Sequence, residues 1–212
     1  MRCSMLFAWL VIFTSQALGE EKSLFDGKTL DGWEGDAKTW RVEDGAIVGG
    51  SLDTSVPRNE FLCTKKTYSN FELKVTFKLL GDKTKANAGV QFRSKRIPNH
   101  HEVSGFQADA GQDYWGALYD ESRRNKVLVR PDKELIEKLV KHEEWNDYVI
   151  RCEGPRIRLW LNGKPTVDYT ETDEKIERIG IIGLQIHGGA KAKALYKDIR
   201  IEELPETPKA KP

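Results

Sequence analysis

Along most of this chain, apolar and polar residues alternate with a period of two, the signature of a strand with one buried and one wet face. The clearest case is residues 70–80, where Phe71, Leu73, Val75, Phe77 and Leu79 alternate with Glu72, Lys74, Thr76 and Lys78. Residues 87–94 (NAGVQFRS) repeat the pattern, with Val90 and Phe92 on one face and Gln91 and Arg93 on the other. Residues 39–50 read as strand, Asp-Gly turn, strand, and 145–153 with 156–162 as a hairpin that an Asn162-Gly163 turn carries into 165–169. Residues 60–64, 179–187 and 194–204 add further strands. Only 132–141 (DKELIEKLVK) has a helical pattern, with Leu135, Ile136 and Leu139 on one side. About a dozen short strands at hairpin spacing with one short helix predict an all-β antiparallel sandwich of the jelly-roll kind.

The ends of the chain do not follow this pattern. Arg2, the apolar run 5–13 (MLFAWLVIF) and Ala17-Leu18-Gly19 have the order of a secretory signal peptide, and the run is too short to span a bilayer. The sequence therefore predicts a signal peptide over 1–19, export to the periplasm or exterior with no membrane anchor after cleavage, one domain over 20–204 and a disordered tail over 205–212. With 34 basic residues, Arg2 of the leader among them, against 33 acidic ones, the domain is charge-rich but neutral. That balance argues against nucleic acid as a partner and suits a neutral small molecule. Export permits a disulfide between Cys63 and Cys152. Both lie in apolar strand contexts, however, which predicts two buried free thiols.

One stretch is denser in chemistry than a surface loop requires. Residues 105–126 (GFQADAGQDYWGALYDESRRNK) hold Tyr114, Trp115 and Tyr119, the acids Asp109, Asp120 and Glu121, and the pair Arg123 and Arg124. Aromatic faces stack on sugar rings, carboxylates move protons, and guanidinium groups hold developing negative charge. Alternation puts three polar pairs on strand faces: Gln91 with Arg93, Gln107 with Asp109, and Gln185 with His187. These groups have fixed hydrogen-bond geometry, unlike the Lys and Glu of an ordinary solvent face. His187 precedes Gly188-Gly189, which permits close backbone approach. Neither His100-His101 nor His142 falls into zinc-type spacing, and no nucleotide-binding glycine loop or nucleophile elbow occurs.

The motifs LFDGKTLDGW, TWRVEDGAIVGG, YSNFELKVTFKL, NAGVQFRS, SGFQAD with YWGALYDESRR, EEWNDYVIRCEGPRIRLWLNG and IGLQIHGG with KDIRIEEL stand in a specific order. In that order the chain resembles the 3-keto-disaccharide hydrolase family of concanavalin A-like lectin/glucanase jelly rolls, from about residue 24 to 204. Many members carry a Glu two residues before the Gln of a Q-x-D pattern, where this chain has Gly105. The resemblance implies cleavage of 3-keto-glycosides by lyase and hydratase steps. A C3 ketone acidifies the C2 proton, the C1 aglycone leaves by β-elimination, and water adds to the resulting 3-keto-2-hydroxyglucal. It further implies a glycoside or oligosaccharide substrate and a separate sugar C3-oxidoreductase upstream.

On this reading the catalytic candidates are His187 as base, Asp109 as its partner or alternative, Asp120 or Glu121 as acid, and Arg93 and Arg124 as enolate stabilisers. Gln91, Gln107, Tyr114, Trp115, Tyr119, Arg123 and Gln185 are the substrate-binding candidates. The residues name no certain cofactor, and a divalent metal could take over enolate stabilisation. A non-catalytic carbohydrate-binding module and a retaining glycosidase are the competing readings. The first prediction concerns the leader. Protein recovered from the exported fraction should begin at Glu20 by N-terminal mass spectrometry, and an intact Met1 would refute it.

Overall fold

The structure, a computed structural model, describes residues 19–206; residues 1–18 of the predicted 1–19 leader and 207–212 of the predicted 205–212 tail lie outside the described residues. In chain order the strands are β1 (Lys22–Ser23), β2 (Trp33–Glu34), β3 (Trp40–Glu43), β4 (Ala46–Ser51), β5 (Glu60–Tyr68), β6 (Phe71–Gly81), β7 (Asn87–Arg96), β8 (Val103–Gly111), β9 (Leu118–Glu121) and β10 (Lys126–Val129). Helix α1 (Lys133–Leu139) follows, then β11 (Asn146–Glu153), β12 (Arg156–Leu161), β13 (Lys164–Thr170), β14 (Gly180–Ile186) and β15 (Ala192–Glu203). They form two antiparallel sheets. The first runs β13-β12-β11-β6-β15-β4-β3, with β1 also on β15, and the second runs β10-β9-β8-β7-β14-β5-β2. This is the expected jelly-roll sandwich, and the one α-helix among the described residues starts where Asp132 caps it by accepting a hydrogen bond from the Leu135 amide.

Alternation decides the core. Phe71, Leu73, Val75 and Phe77 of β6 point inward and meet Val90, Phe92, Phe106, Ala108, Ile182 and Leu184 of the second sheet. Each such aliphatic or aromatic side chain contributes about 1.5–3 kcal/mol when buried. Phe77 stacks on Tyr148, with ring centroids 4.9 Å apart. On the outer face of the first sheet the charged residues pair with one another, as in Arg151 with Glu72 and Glu153 and Lys74 with Glu21. Cys63 and Cys152 are free and buried, as predicted. They belong to different sheets.

Register slips at one level across the second sheet. Gly183 opposes Cys63 and Gln91, yet Ile181 opposes Thr67 and Ser94, and the β7–β8 ladder slips between Phe92 and Lys95. Extra residues in neighbouring strands bend a sheet along the line they share. Arg93 sits on that line with a left-handed φ of 46°, so it leaves the face that simple alternation assigns to it. Its guanidinium instead reaches the end of the sandwich. There it donates to the Ser69 and Gly154 carbonyls at 2.8 and 2.7 Å and to Asn70 Oδ1 at 3.1 Å.

The expected enolate stabiliser Arg93 is therefore a tie between the β5–β6 and β11–β12 turns. Removing it leaves buried acceptors without this donor, so Arg93→Ala should lower unfolding free energy by about 2–4 kcal/mol in urea titration. Arg93→Lys should recover part of that loss.

Candidate active site

The outer face of the second sheet carries the polar strand residues in rows. Phe61, Gln185, Gly89 and Asp109 stand side by side, as do Cys63, Gly183, Gln91, Gln107 and Tyr119. Gly105 opposes Glu121 on β9. A side chain at position 89 would lie 2.2 Å from Gln107 Nε2. Glycine there lets Gln107 cross β7 and donate to Gln185 Oε1 at 2.6 Å. Gln185 Nε2 in turn points to Glu121 Oε2 at 3.4 Å. Asn87 Nδ2 donates to Asp109 Oδ1 at 2.9 Å, and Ser94 Oγ donates to Gln91 Oε1 at 2.9 Å. The buried Gln91 Nε2 keeps an unused donor.

This face is covered rather than open: Gln91, Gln107, Gln185 and Asp109 are 0, 1, 1 and 5% exposed. The cover is the tip of the β7–β8 hairpin, which the bend folds back across the strands. Val103 at the start of β8 packs on Phe61 and Cys63 of β5, three strands away in the sheet. Glu102 fastens the tip, accepting from Asn59 Nδ2 at 3.0 Å and from Ser122 Oγ at 3.4 Å. The His101 ring donates from Nδ1 to the Asn59 carbonyl at 3.1 Å. Two tyrosines of the first sheet brace the face from beneath. Tyr148 Oη donates to the Asp109 carbonyl and accepts from the Gly116 amide, and Tyr196 Oη donates to the Gln185 carbonyl.

Burial without a contacting cation sets the electrostatics. Burial pushes the Asp109 carboxyl up to about 8, against the Asn87 hydrogen bond that favours its charged form and with the Glu121 charge adding to the rise. Burial, with the Glu102 charge adding, pushes Glu121 up to about 7. Tyr119 is raised by burial and by the Glu121 charge. Near neutral pH Asp109 is thus mainly a proton donor, while Glu121 holds or releases its proton with equal ease. Divergent environments of this kind separate acid and base roles.

Other predicted residues lie elsewhere. Asp120 points to the opposite side of β9, where it is fully buried and paired with Arg123 at 2.8 Å and with Arg124. Arg124 also binds Glu171 at 2.6 Å, and the Arg123 guanidinium lies 4.4 Å from the Phe106 ring. Successive residues of a strand face opposite ways, so of the two neighbouring acids Glu121, not Asp120, shares the face of Gln107 and Tyr119. Trp115 is likewise a core residue, stacked on Phe77 at 5.9 Å, so it offers no open platform for a sugar. Tyr119 lies on the covered face and meets Tyr114 edge-on at 6.2 Å. His187 is exposed at the rim beside Asn87, whose carbonyl accepts from its amide, and its Nδ1 donates to the Gly188 carbonyl at 2.8 Å. That bond leaves Nε2 as the unprotonated nitrogen of the neutral ring.

Asn59, Asn87, Ser94 and Glu102 join the site without having been singled out from the sequence. Asn87 alone carried a signal, being two residues before Gly89 and four before Gln91 on the same strand face. Among the described residues, no three His, Cys, Asp or Glu side chains gather as metal ligands.

The same architecture recurs in known structures. A protein designated a glycosyl hydrolase from Parabacteroides distasonis ATCC 8503 is similar at 22% identity and a TM-score of 0.65, over 88% of this chain and 94% of that one. The carbohydrate-binding module CBM66 from Bacillus subtilis is similar at 16% identity and a TM-score of 0.61, over 81 and 96%. A Bacillus subtilis protein with a galectin-like fold is similar at 11% identity and a TM-score of 0.58, over 82 and 90%. Residues 20–202 match the family model of the 3-keto-alpha-glucoside-1,2-lyase-like domain. Among curated proteins no sequence match is found.

Asp109 makes stability depend on pH. Its folded value of about 8 lies above the ordinary 3.8, so the native state holds the proton that the unfolded chain releases first. Stability should fall as pH rises from about 4 to about 8, on the order of a few kcal/mol. Asp109→Asn should flatten that slope, leaving the variant closer to wild type at pH 4.5 and more stable at pH 8.5. Parallel urea curves at both pH values would reject the assignment.

Proposed function

The chain belongs to the 3-keto-alpha-glucoside-1,2-lyase-like family, and from that premise we propose that it is a carbohydrate-active enzyme that cleaves 3-keto-glycosides by elimination and hydration. The observation that carries this reading is the pairing of Asp109 and Glu121 on one amide-lined, covered face. Glu121 opposes Gly105 across the β8–β9 ladder. A carboxylate that many relatives carry at that position thus has a substitute on the neighbouring strand.

In this mechanism Glu121 takes the proton from C2 of the 3-keto sugar. Asp109, protonated, donates a hydrogen bond to the C3 oxygen as enolate charge develops there, and buried Gln107 positions Glu121 through Gln185. The enolate collapses, a C1–C2 double bond forms, and the C1–O bond breaks with its electron pair going to the aglycone oxygen. That oxygen takes up the proton held by Glu121. Water then adds at C1 and a proton at C2, giving the free 3-keto sugar and completing a net hydrolysis. His187, exposed with Nε2 unprotonated, is the base at the rim for this second step. The reading includes export and requires a separate sugar C3-oxidoreductase upstream, because the substrate already carries the C3 ketone.

Incubation with a 3-keto-glucoside, followed by the enone absorbance of the glucal and by aglycone release, tests the reading. Glu121→Gln should lower kcat/KM by about a hundredfold or more. His187→Ala should release aglycone but accumulate the glucal. The wild-type rate should rise with Glu121 ionisation near 7 and decline as Asp109 loses its proton near 8. Tight sugar binding with no product from any 3-keto-glucoside would instead mark a binding module.

A further inference from the structure

We propose that the cleft between the 112–116 loop and helix α1 is the aglycone subsite of this enzyme and takes a flat aromatic aglycone, an inference that rests on the 3-keto-glycoside reading above. The cleft has a volume of about 470 Å³ and is lined by Tyr114, Trp115, Arg130, Pro131, Ile136 and Val140. Small-molecule sites span roughly 300–1,000 Å³. None of the residues of α1 is buried, and Ile136 and Val140 pack only partly against the core. The apolar side of the helix is thus left half-covered, facing this space.

The opposite wall is aromatic. The Arg130 guanidinium lies 5.2 Å from the Tyr114 ring centre and donates to the Asp113 carbonyl, and Trp115 stands edge-on to His142 at 5.9 Å. A planar ring between Tyr114 and Ile136 would gain stacking on one side and aliphatic contact on the other. Gln112, Asp113, Lys133, Glu137 and His142 line the rest of the cleft and would meet polar substituents on that ring.

The loop that walls the cleft is bonded to the strand that carries Asp109. It hangs on Asp109, whose amide donates to the Ala117 carbonyl at 3.1 Å and whose carbonyl accepts from the Gly116 amide at 3.2 Å. Tyr114 bridges the two regions through its edge contact with Tyr119. The Arg130 charge is near enough to act on the Asp109 carboxyl. When the C1–O bond breaks, its electron pair moves onto the aglycone oxygen. For a phenolic aglycone that charge is delocalised into the ring beside Arg130, which assists departure.

The test compares p-nitrophenyl and methyl 3-keto-glucosides with wild type, Ile136→Asp and Ile136→Trp, both at a half-exposed helical position. Both variants should lower kcat/KM for the aryl substrate by roughly tenfold or more and leave the methyl substrate within about twofold. Equal effects on the two substrates, or none on either, would overturn the proposal. Calorimetry with unoxidised p-nitrophenyl glucoside separates this inference from the reading beneath it. If wild type cleaves neither keto substrate, the function fails. Aryl glucoside binding that Ile136→Asp abolishes would still support the cleft, and no binding by wild type would overturn it.

Discussion

The bend across the second sheet is the constraint on which the rest of the site depends. It is made by extra residues at one level of neighbouring strands, with Arg93 in a left-handed conformation at its centre. Gly105 is part of the same device. A side chain there would lie 2.3 Å from Ser94 Oγ and 2.6 Å from Ser94 Cα, so the curled hairpin has no room for one. The fold that excludes a side chain at 105 is also the fold that lays Val103 over Phe61 and Cys63. Cover and missing side chain have one cause.

That cover raises the carboxyl groups on the face above their ordinary range. Asp109 and Asp120 make the comparison within one protein. Both are buried acids on adjacent strands, yet Asp120 is held by two guanidinium groups and Asp109 by an amide. A buried charge with good ionic partners stays charged and serves the structure. A buried carboxyl with only neutral donors gains more by keeping its proton. Strand direction alone decides which acid faces which environment, since Asp120 and Glu121 are neighbours in sequence and opposite in space.

Much of the fold was legible because alternation is a local signal. Phe71 to Leu79 declared its buried face, the Asp44-Gly45 and Asn162-Gly163 turns marked hairpins, and Asp132 marked the helix start. The site was legible only as far as alternation held. Gln91, Gln107, Asp109 and Gln185 were grouped correctly because each lies on a regular stretch of strand. Arg93 was misplaced because its left-handed φ breaks the period one residue after Phe92, with nothing in residue type to announce it. Trp115, Arg123 and Arg124 were misread for a different reason. Density of aromatic and charged residues looks the same whether they close a core or line a site, and only the contacts with Phe77, Phe106 and Glu171 separate the two. Glu102 was missed because its part depends on the hairpin folding over, a long-range event.

The replacement of a carboxylate across a ladder follows from the geometry of antiparallel pairs. Residues directly opposite share a face, and their side chains start about 5 Å apart. A Glu on β9 can therefore occupy nearly the space of a Glu on β8 while leaving position 105 free for the bend. The exchange also changes the neighbours of the acid. From β9, Glu121 meets Gln185 on one side and the Glu102 charge of the hairpin tip on the other. Glu102 is itself bonded to Asn59 and Ser122, so the group that fastens the cover also adds, after burial itself, to the rise of Glu121. The cover and the raised Glu121 carboxyl are for that reason one arrangement: burial lifts it, and the Glu102 charge at the hairpin tip adds to the rise.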